Sequence, residues 1–135
     1  EQRRYTDALE AADSALGIYR DLADRSGVLA CRLLQAKIYR EVGEPATACD
    51  VLKTAETEAS LADDPRLFAL VQANLVTCLT EAGRYEEALA RLPQAKELYR
   101  LHGRDTDRLR LRWTGALLLQ AADAGLRAAV LPPSA

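Results

Sequence analysis

The sequence predicts an all-α protein, a stack of antiparallel helix pairs, on three observations. The 135 residues are 49% hydrophobic but only 5% aromatic, and alanine and leucine supply most of the apolar content. Strands favour β-branched and aromatic side chains, so this inventory points to helix. Apolar residues also recur at helical spacing: across 66–82, Leu67, Leu70, Val71, Leu75, Cys78 and Leu79 fall on one i, i+3, i+4, i+7 stripe. Finally, the sequence repeats itself. Arg4-Tyr5-Thr6-Asp7-Ala8-Leu9 returns 80 residues later as Arg84-Tyr85-Glu86-Glu87-Ala88-Leu89, with Tyr19-Arg20 matching Tyr99-Arg100. Half that offset also holds. Gly43 precedes Gly83 by 40, Ala48 lies midway between Ala8 and Ala88, and Ala55 midway between Ala15 and Ala95. A fixed period of this length marks a repeat architecture.

Seven helices follow in order, at about 3–24, 27–42, 45–61, 65–82, 84–101, 106–123 and 126–131. Gly43 and Gly83 end the second and fourth, supplying the left-handed residue that a helix C-terminus favours. Asp63-Asp64-Pro65 opens the fourth, with a capping carboxylate ahead of a proline at the first helical position. In the fifth, Ala88 and Ala95 are seven apart and share a face. A larger residue there would push the paired helices apart. Gly103 stands behind this helix, but Pro93 lies inside it, removing a hydrogen bond and crowding the Leu89 carbonyl, so a kink or short break is expected at Arg91–Leu92. Pro132-Pro133 stops the seventh helix. The frame makes 1–135 a single domain: a half repeat 3–24, repeats 27–61 and 65–101, and a partial repeat 106–131. With no methionine and a first residue of Glu1, the chain reads as a fragment of a larger protein cut mid-repeat.

Within each unit a small residue in the first helix is followed by a turn glycine, an aromatic two later, an alanine three after that and another seven further on. One unit carries Ala36, Tyr39, Gly43, Ala48, Leu52 and Ala55, and the next Leu75, Leu79, Gly83, Tyr85, Ala88, Leu92 and Ala95. Over residues 3–124 this order resembles the tetratricopeptide repeat. Val76 departs from the small residue of that pattern, and Pro45 from its turn aromatic. The period is closer to the long variety of large bacterial regulators and signal-transduction ATPases than to the common 34 residues. The resemblance implies a right-handed superhelix whose concave face is lined by the first helix of each pair. It also implies a scaffold that binds a peptide or partner protein there.

In that family the groove-facing places are the second, fifth, sixth, ninth and twelfth of the first helix. Numbered from Leu29, Ala69 and Leu109, they hold Ala30, Leu70 and Arg110; Leu33, Ala73 and Trp113; Lys37, Thr77 and Leu117. Asn74 and Thr114 take the sixth place, and Arg40, Thr80 and Gln120 the twelfth. Lys37, Arg40, Asn74, Thr77, Arg110 and Trp113 are therefore the candidate partner-binding residues. Their mixture suits an extended peptide with acidic and apolar side chains, and the Asn74 amide can both donate to and accept from a peptide backbone. Trp113 either anchors a partner or fills the seam against the preceding helix. Only Asn74 and Arg110 match the polar places of the family's carboxylate clamp, which excludes a chaperone-tail reading. Arg104, Arg108 and Arg112 share a helical face near His102, but Asp105 and Asp107 interrupt them, as in an ordinary solvated face.

Other classes find little purchase. Lys and Arg total 18 against 20 Asp and Glu, so the basic excess of a nucleic-acid binder is missing. No apolar run approaches the roughly 20 residues that span a bilayer, and no signal peptide is visible. Cys31, Cys49 and Cys78 show no paired spacing, which suits buried reduced thiols and a cytoplasmic setting. His102, the one histidine, has no evident nucleophile beside it. The pairs Glu86-Glu87 and Asp63-Asp64 sit at helix starts, complementing the helix dipole. Neither a phosphate loop nor a metal-ligand spacing occurs. No enzymatic activity, cofactor or metal is expected. Two alternatives remain beside the scaffold. One is self-association through exposed terminal helices, where Leu117-Leu118-Leu119 needs cover. The other is a ligand-sensing, regulatory segment of a larger bacterial signalling or transcription-regulatory protein.

Overall fold

A computed structural model describes residues 2–59, 64–103, 112, 115–120 and 123. Five helices fill most of these: α1 (Gln2–Asp21), α2 (Arg25–Glu41), α3 (Pro45–Glu58), α4 (Pro65–Glu81) and α5 (Tyr85–His102). Residues 115–120 are helical as well, and no strand occurs among the described residues. The first five expected helices are therefore present, two of their starts as expected and the other ends shifted by one to three residues. Of the expected sixth helix only part lies within the described residues, and the expected 126–131 helix lies outside them.

Three turns reverse the chain in the same way. At the end of α2, Gly43 N–H donates to Arg40 O at 3.1 Å and Glu44 N–H to Tyr39 O at 2.8 Å. At the end of α4, Gly83 and Arg84 repeat the pattern onto Thr80 and Leu79, and after α1 Ala23 and Asp24 repeat it onto Arg20 and Tyr19. These paired bonds satisfy carbonyls that a helix end would otherwise leave orphaned, and they need a left-handed residue. Gly43 and Gly83 take φ of 82° and 77°, as the sequence predicts, but the first turn forces Ala23 to 54°. Starts repeat too. Asp24 caps α2 by accepting from Gly27 N–H at 3.0 Å, and Asp64, 40 residues on, caps α4 by accepting from Leu67 N–H at 3.2 Å. The other oxygen of Asp64 accepts from Ser26 Oγ at 3.1 Å, joining the starts of α2 and α4. Proline opens both α3 and α4.

Each helix packs on the next in chain order, and α2 also touches α4. One core cluster holds most of the buried side chains, centred on Leu52 of α3, Leu75 and Leu79 of α4, and Leu92 of α5. The alanines spaced by seven, Ala48 with Ala55 and Ala88 with Ala95, are fully buried. Close backbone approach also explains Gly27, where an added methyl would overlap the Tyr19 ring of α1. Of the kink or short break expected at Arg91–Leu92, the break does not form: α5 is continuous from Tyr85 to His102. Pro93 is on the exposed side, where water can reach the carbonyl it leaves unpaired, while Leu92 and Ala95 hold the helix in the core on the other side. None of the described helices is long and apolar enough to cross a membrane.

Candidate interaction face

α2 and α4 are first helices of successive repeats, and both present the same stripe. On α2, Ala30, Leu34, Lys37 and Glu41 are exposed; 40 residues later, Leu70, Asn74 and Thr77 of α4 are half-buried and Glu81 is exposed. The spacing of three or four keeps each set on one helical face. Leu34, 47% exposed, is a member that the sequence reading passed over. Its signal was available, since it stands 40 before Asn74. The fifth-place row departs from expectation: Ala73 is buried in the core, and Leu33 is partly buried and packed against it. That register is the seam between α2 and α4, so the open surface runs through the sixth place instead.

The polar groups on this face are partly committed. Asn74 Nδ2 donates to Leu70 O at 2.8 Å, Thr77 Oγ1 to Ala73 O at 3.1 Å and Thr80 Oγ1 to Val76 O at 2.7 Å. The hydroxyl donors of Thr77 and Thr80, and one of the two amide N–H groups of Asn74, are thereby spent on the helix's own carbonyls. What remains is acceptor oxygen, including Asn74 Oδ1, which has no hydrogen-bond partner among the described residues, and the second N–H of the Asn74 amide. Arg40 is held by Glu81 of α4: Nε donates to both carboxylate oxygens at 3.2 Å and Nη2 to Oε1 at 2.5 Å. The hydrogen bond to Glu81 keeps the Arg40 guanidinium above its ordinary pKa. Arg40 thus clamps two repeats together, while Lys37 is the exposed cation of the stripe. Arg110 and Trp113 lie outside the described residues.

The opposite flank carries charge networks that tie three helices at a time. Buried Gln72 of α4 donates from Nε2 to Glu56 Oε2 of α3 at 2.5 Å, and Arg91 Nη1 of α5 donates to the same oxygen at 2.5 Å. Burial pushes the Glu56 carboxyl up, but the bonds from Arg91 and Gln72 outweigh it and hold the group below the ordinary carboxylate value. Lys53 and Glu87 pair alongside at 2.9 Å. One repeat earlier, buried Gln35 donates to Asp13 of α1 at 2.7 Å, and Arg32 beside it bonds Glu58 of α3 at 2.9 Å.

All three cysteines are free and buried. Burial pushes the Cys78 thiol up to about 12, so it carries almost no thiolate at neutral pH. No group of His, Cys, Asp and Glu that could hold a metal occurs among the described residues. A hollow of about 420 Å³ opens between the end of α1, the start of α2 and the end of α3, lined by Tyr19, Asp24, Val28 and Ala59 and rimmed by Arg20 and Glu58. Those two rim charges face each other at 3.8 Å. No protein-family model, curated protein or solved structure matches this chain.

Proposed function

We propose that this chain is a tetratricopeptide-like interaction scaffold, a right-handed superhelical stack that binds a peptide or partner protein on the face shared by α2 and α4. One observation carries the reading: a stripe exposed on α2 recurs 40 residues later on α4, where it is half-buried up to the exposed Glu81, and the two helices touch. Structural need alone would place interchangeable polar residues there, whereas this stripe sets Leu34 and Leu70 beside Lys37 and Asn74. The pairing of apolar anchors with a few oriented polar groups is how a groove fixes an extended segment. The recurring turns, the paired caps at Asp24 and Asp64, and the Arg40–Glu81 clamp support the stacked arrangement. Arg110 and Trp113 extend the same frame by one repeat in the sequence.

The stripe also sets the chemistry of the occupant. Lys37 and Arg40 are balanced by Glu41 and Glu81, so the described part of the face is not strongly basic. Its free oxygens accept donors, and the second N–H of Asn74 can donate to a carbonyl. The partner segment offers backbone or side-chain N–H groups to Asn74, an apolar side chain to Leu34 and one carboxylate to Lys37.

Panning a displayed library of random peptides against the immobilised chain tests this. Enriched peptides, measured by fluorescence anisotropy, are expected to weaken at least about tenfold against Leu34→Asp and against the pair Lys37→Ala with Asn74→Ala, in keeping with the loss of buried anchor contacts. Circular dichroism of these variants should be unchanged, because the altered side chains are outside the core. Peptides that ignore both variants but respond to Glu97→Ala on the outer side of α5 would show that the wrong face has been chosen.

A further inference from the structure

α2 and α4 run side by side in the same direction, and they are tied at both ends. At their starts Ser26 Oγ donates to Asp64 Oδ2 at 3.1 Å, while the other Asp64 oxygen caps α4 by accepting from Leu67 N–H. In their last turns Arg40 Nε donates to both carboxylate oxygens of Glu81 at 3.2 Å. Between the ties the seam passes through Leu33 and Ala73. No other packed pair of helices in the described fold shares so little contact as α2 and α4. With so little apolar packing across the seam, the two ties weigh more heavily there than equivalent bonds would elsewhere.

The stripe assigned to a partner straddles this seam, with Leu34 and Lys37 on α2 and Leu70 and Asn74 on α4. An occupant that touches both helices needs them at one separation. Walls already held at that separation give up little freedom when the occupant arrives. Walls that drift bind only in the fraction of time they are correctly spaced, and the apparent affinity falls by that fraction. Neither tie is needed to form the helices themselves. Asp64 keeps its cap bond to Leu67 without Ser26, and α3 packs on both α2 and α4.

We infer, given the scaffold reading of this face, that Ser26 and Glu81 are positioning residues for the groove. They fix the separation of α2 and α4, and so set the affinity for the occupant without being among the residues that hold it. The charge of Glu81 gives this role a sign. The occupant carries a carboxylate for Lys37. Acting on that group directly, Glu81 would repel it and keep Arg40 from it, so losing Glu81 would tighten binding. Acting as a tie, Glu81 weakens binding when it is lost.

The peptides enriched against the full chain supply the test. They are remade with blocked amino termini and with glutamine in place of any lysine or arginine, so that none can pair with Glu81. Fluorescence anisotropy then compares the wild type with Ser26→Ala and Glu81→Ala, well below the thermal transition of each. Both variants should bind every such peptide about two- to tenfold more weakly, the scale of one net hydrogen bond or partly exposed ion pair. A role in stability alone leaves affinity unchanged at that temperature, where circular dichroism shows each variant folded. Affinity unchanged in either variant, or raised by Glu81→Ala, overturns the inference; peptides that still respond to Leu34→Asp then leave the assignment of the face standing. Peptides indifferent to Leu34→Asp overturn that assignment, and this inference with it.

Discussion

Ala23 holds a left-handed backbone at φ 54° in a turn whose two equivalents use glycine. An L-residue in that region pays about 1–2 kcal/mol through its Cβ, and glycine returns part of the gain by its extra freedom in the unfolded chain. Ala23→Gly should therefore stabilise the fold by about 0.5–1 kcal/mol and raise the thermal midpoint by roughly 2–5 °C. A melt by circular dichroism decides it, and a midpoint that is unchanged or lower would show that the turn carries no strain. The same residue shows why α1 reads too long in the sequence. Alanine is the best helix former, so nothing at position 23 announces a stop. The signal lay one residue on: Asp24 stands 40 before the capping Asp64, and both accept from the backbone N–H three residues later.

At the level of the helix, α5 combines favourable ends with an unfavourable middle. Glu86 and Glu87 occupy its first turn and Arg100 and His102 its last, each matched to the helix dipole. Pro93 interrupts this on the solvent side, and the helix continues because packing holds both halves. Replacing it by alanine restores one hydrogen bond and removes the clash with the Leu89 carbonyl. Pro93→Ala should stabilise the chain by about 1–3 kcal/mol, measured by urea unfolding. A loss of stability instead would mean that the packing of Leu92 and Ala95 on α4 depends on a bend that proline imposes. Helices were legible here because apolar periodicity, caps and turn glycines are all local signals. The break at Pro93 was over-read for the same reason, since tertiary packing overrides a local penalty that sequence displays alone. Arg40 shows the complementary limit. Its register marked it as groove-facing, but its partner Glu81 lies 41 residues away, and no local pattern reveals such a bond.

Across the whole molecule, the second helices of neighbouring repeats are joined by charge rather than by backbone packing. α3 and α5 make no close backbone approach, yet Lys53 meets Glu87 and Glu56 meets Arg91 between them. First helices pack directly, α2 on α4, and the charged flank fixes how far the second helices stand apart. This dependence has a pH signature with a definite sign. The bond from Lys53 lowers the Glu87 pKa, and at Glu56 the bonds from Arg91 and Gln72 outweigh burial, so both carboxyls titrate below the ordinary 4.5 when folded. A lowered folded pKa contributes stability that is present above the unfolded value and is lost as pH falls through the folded one. The double variant Glu56→Gln, Glu87→Gln should therefore melt below the wild type at neutral pH, with a gap that narrows as pH drops from 4.5 downward. Other carboxylates titrate alike in both proteins and cancel in the comparison. A gap that stays constant across that range would mean that shape, and not charge, sets the spacing of the repeats.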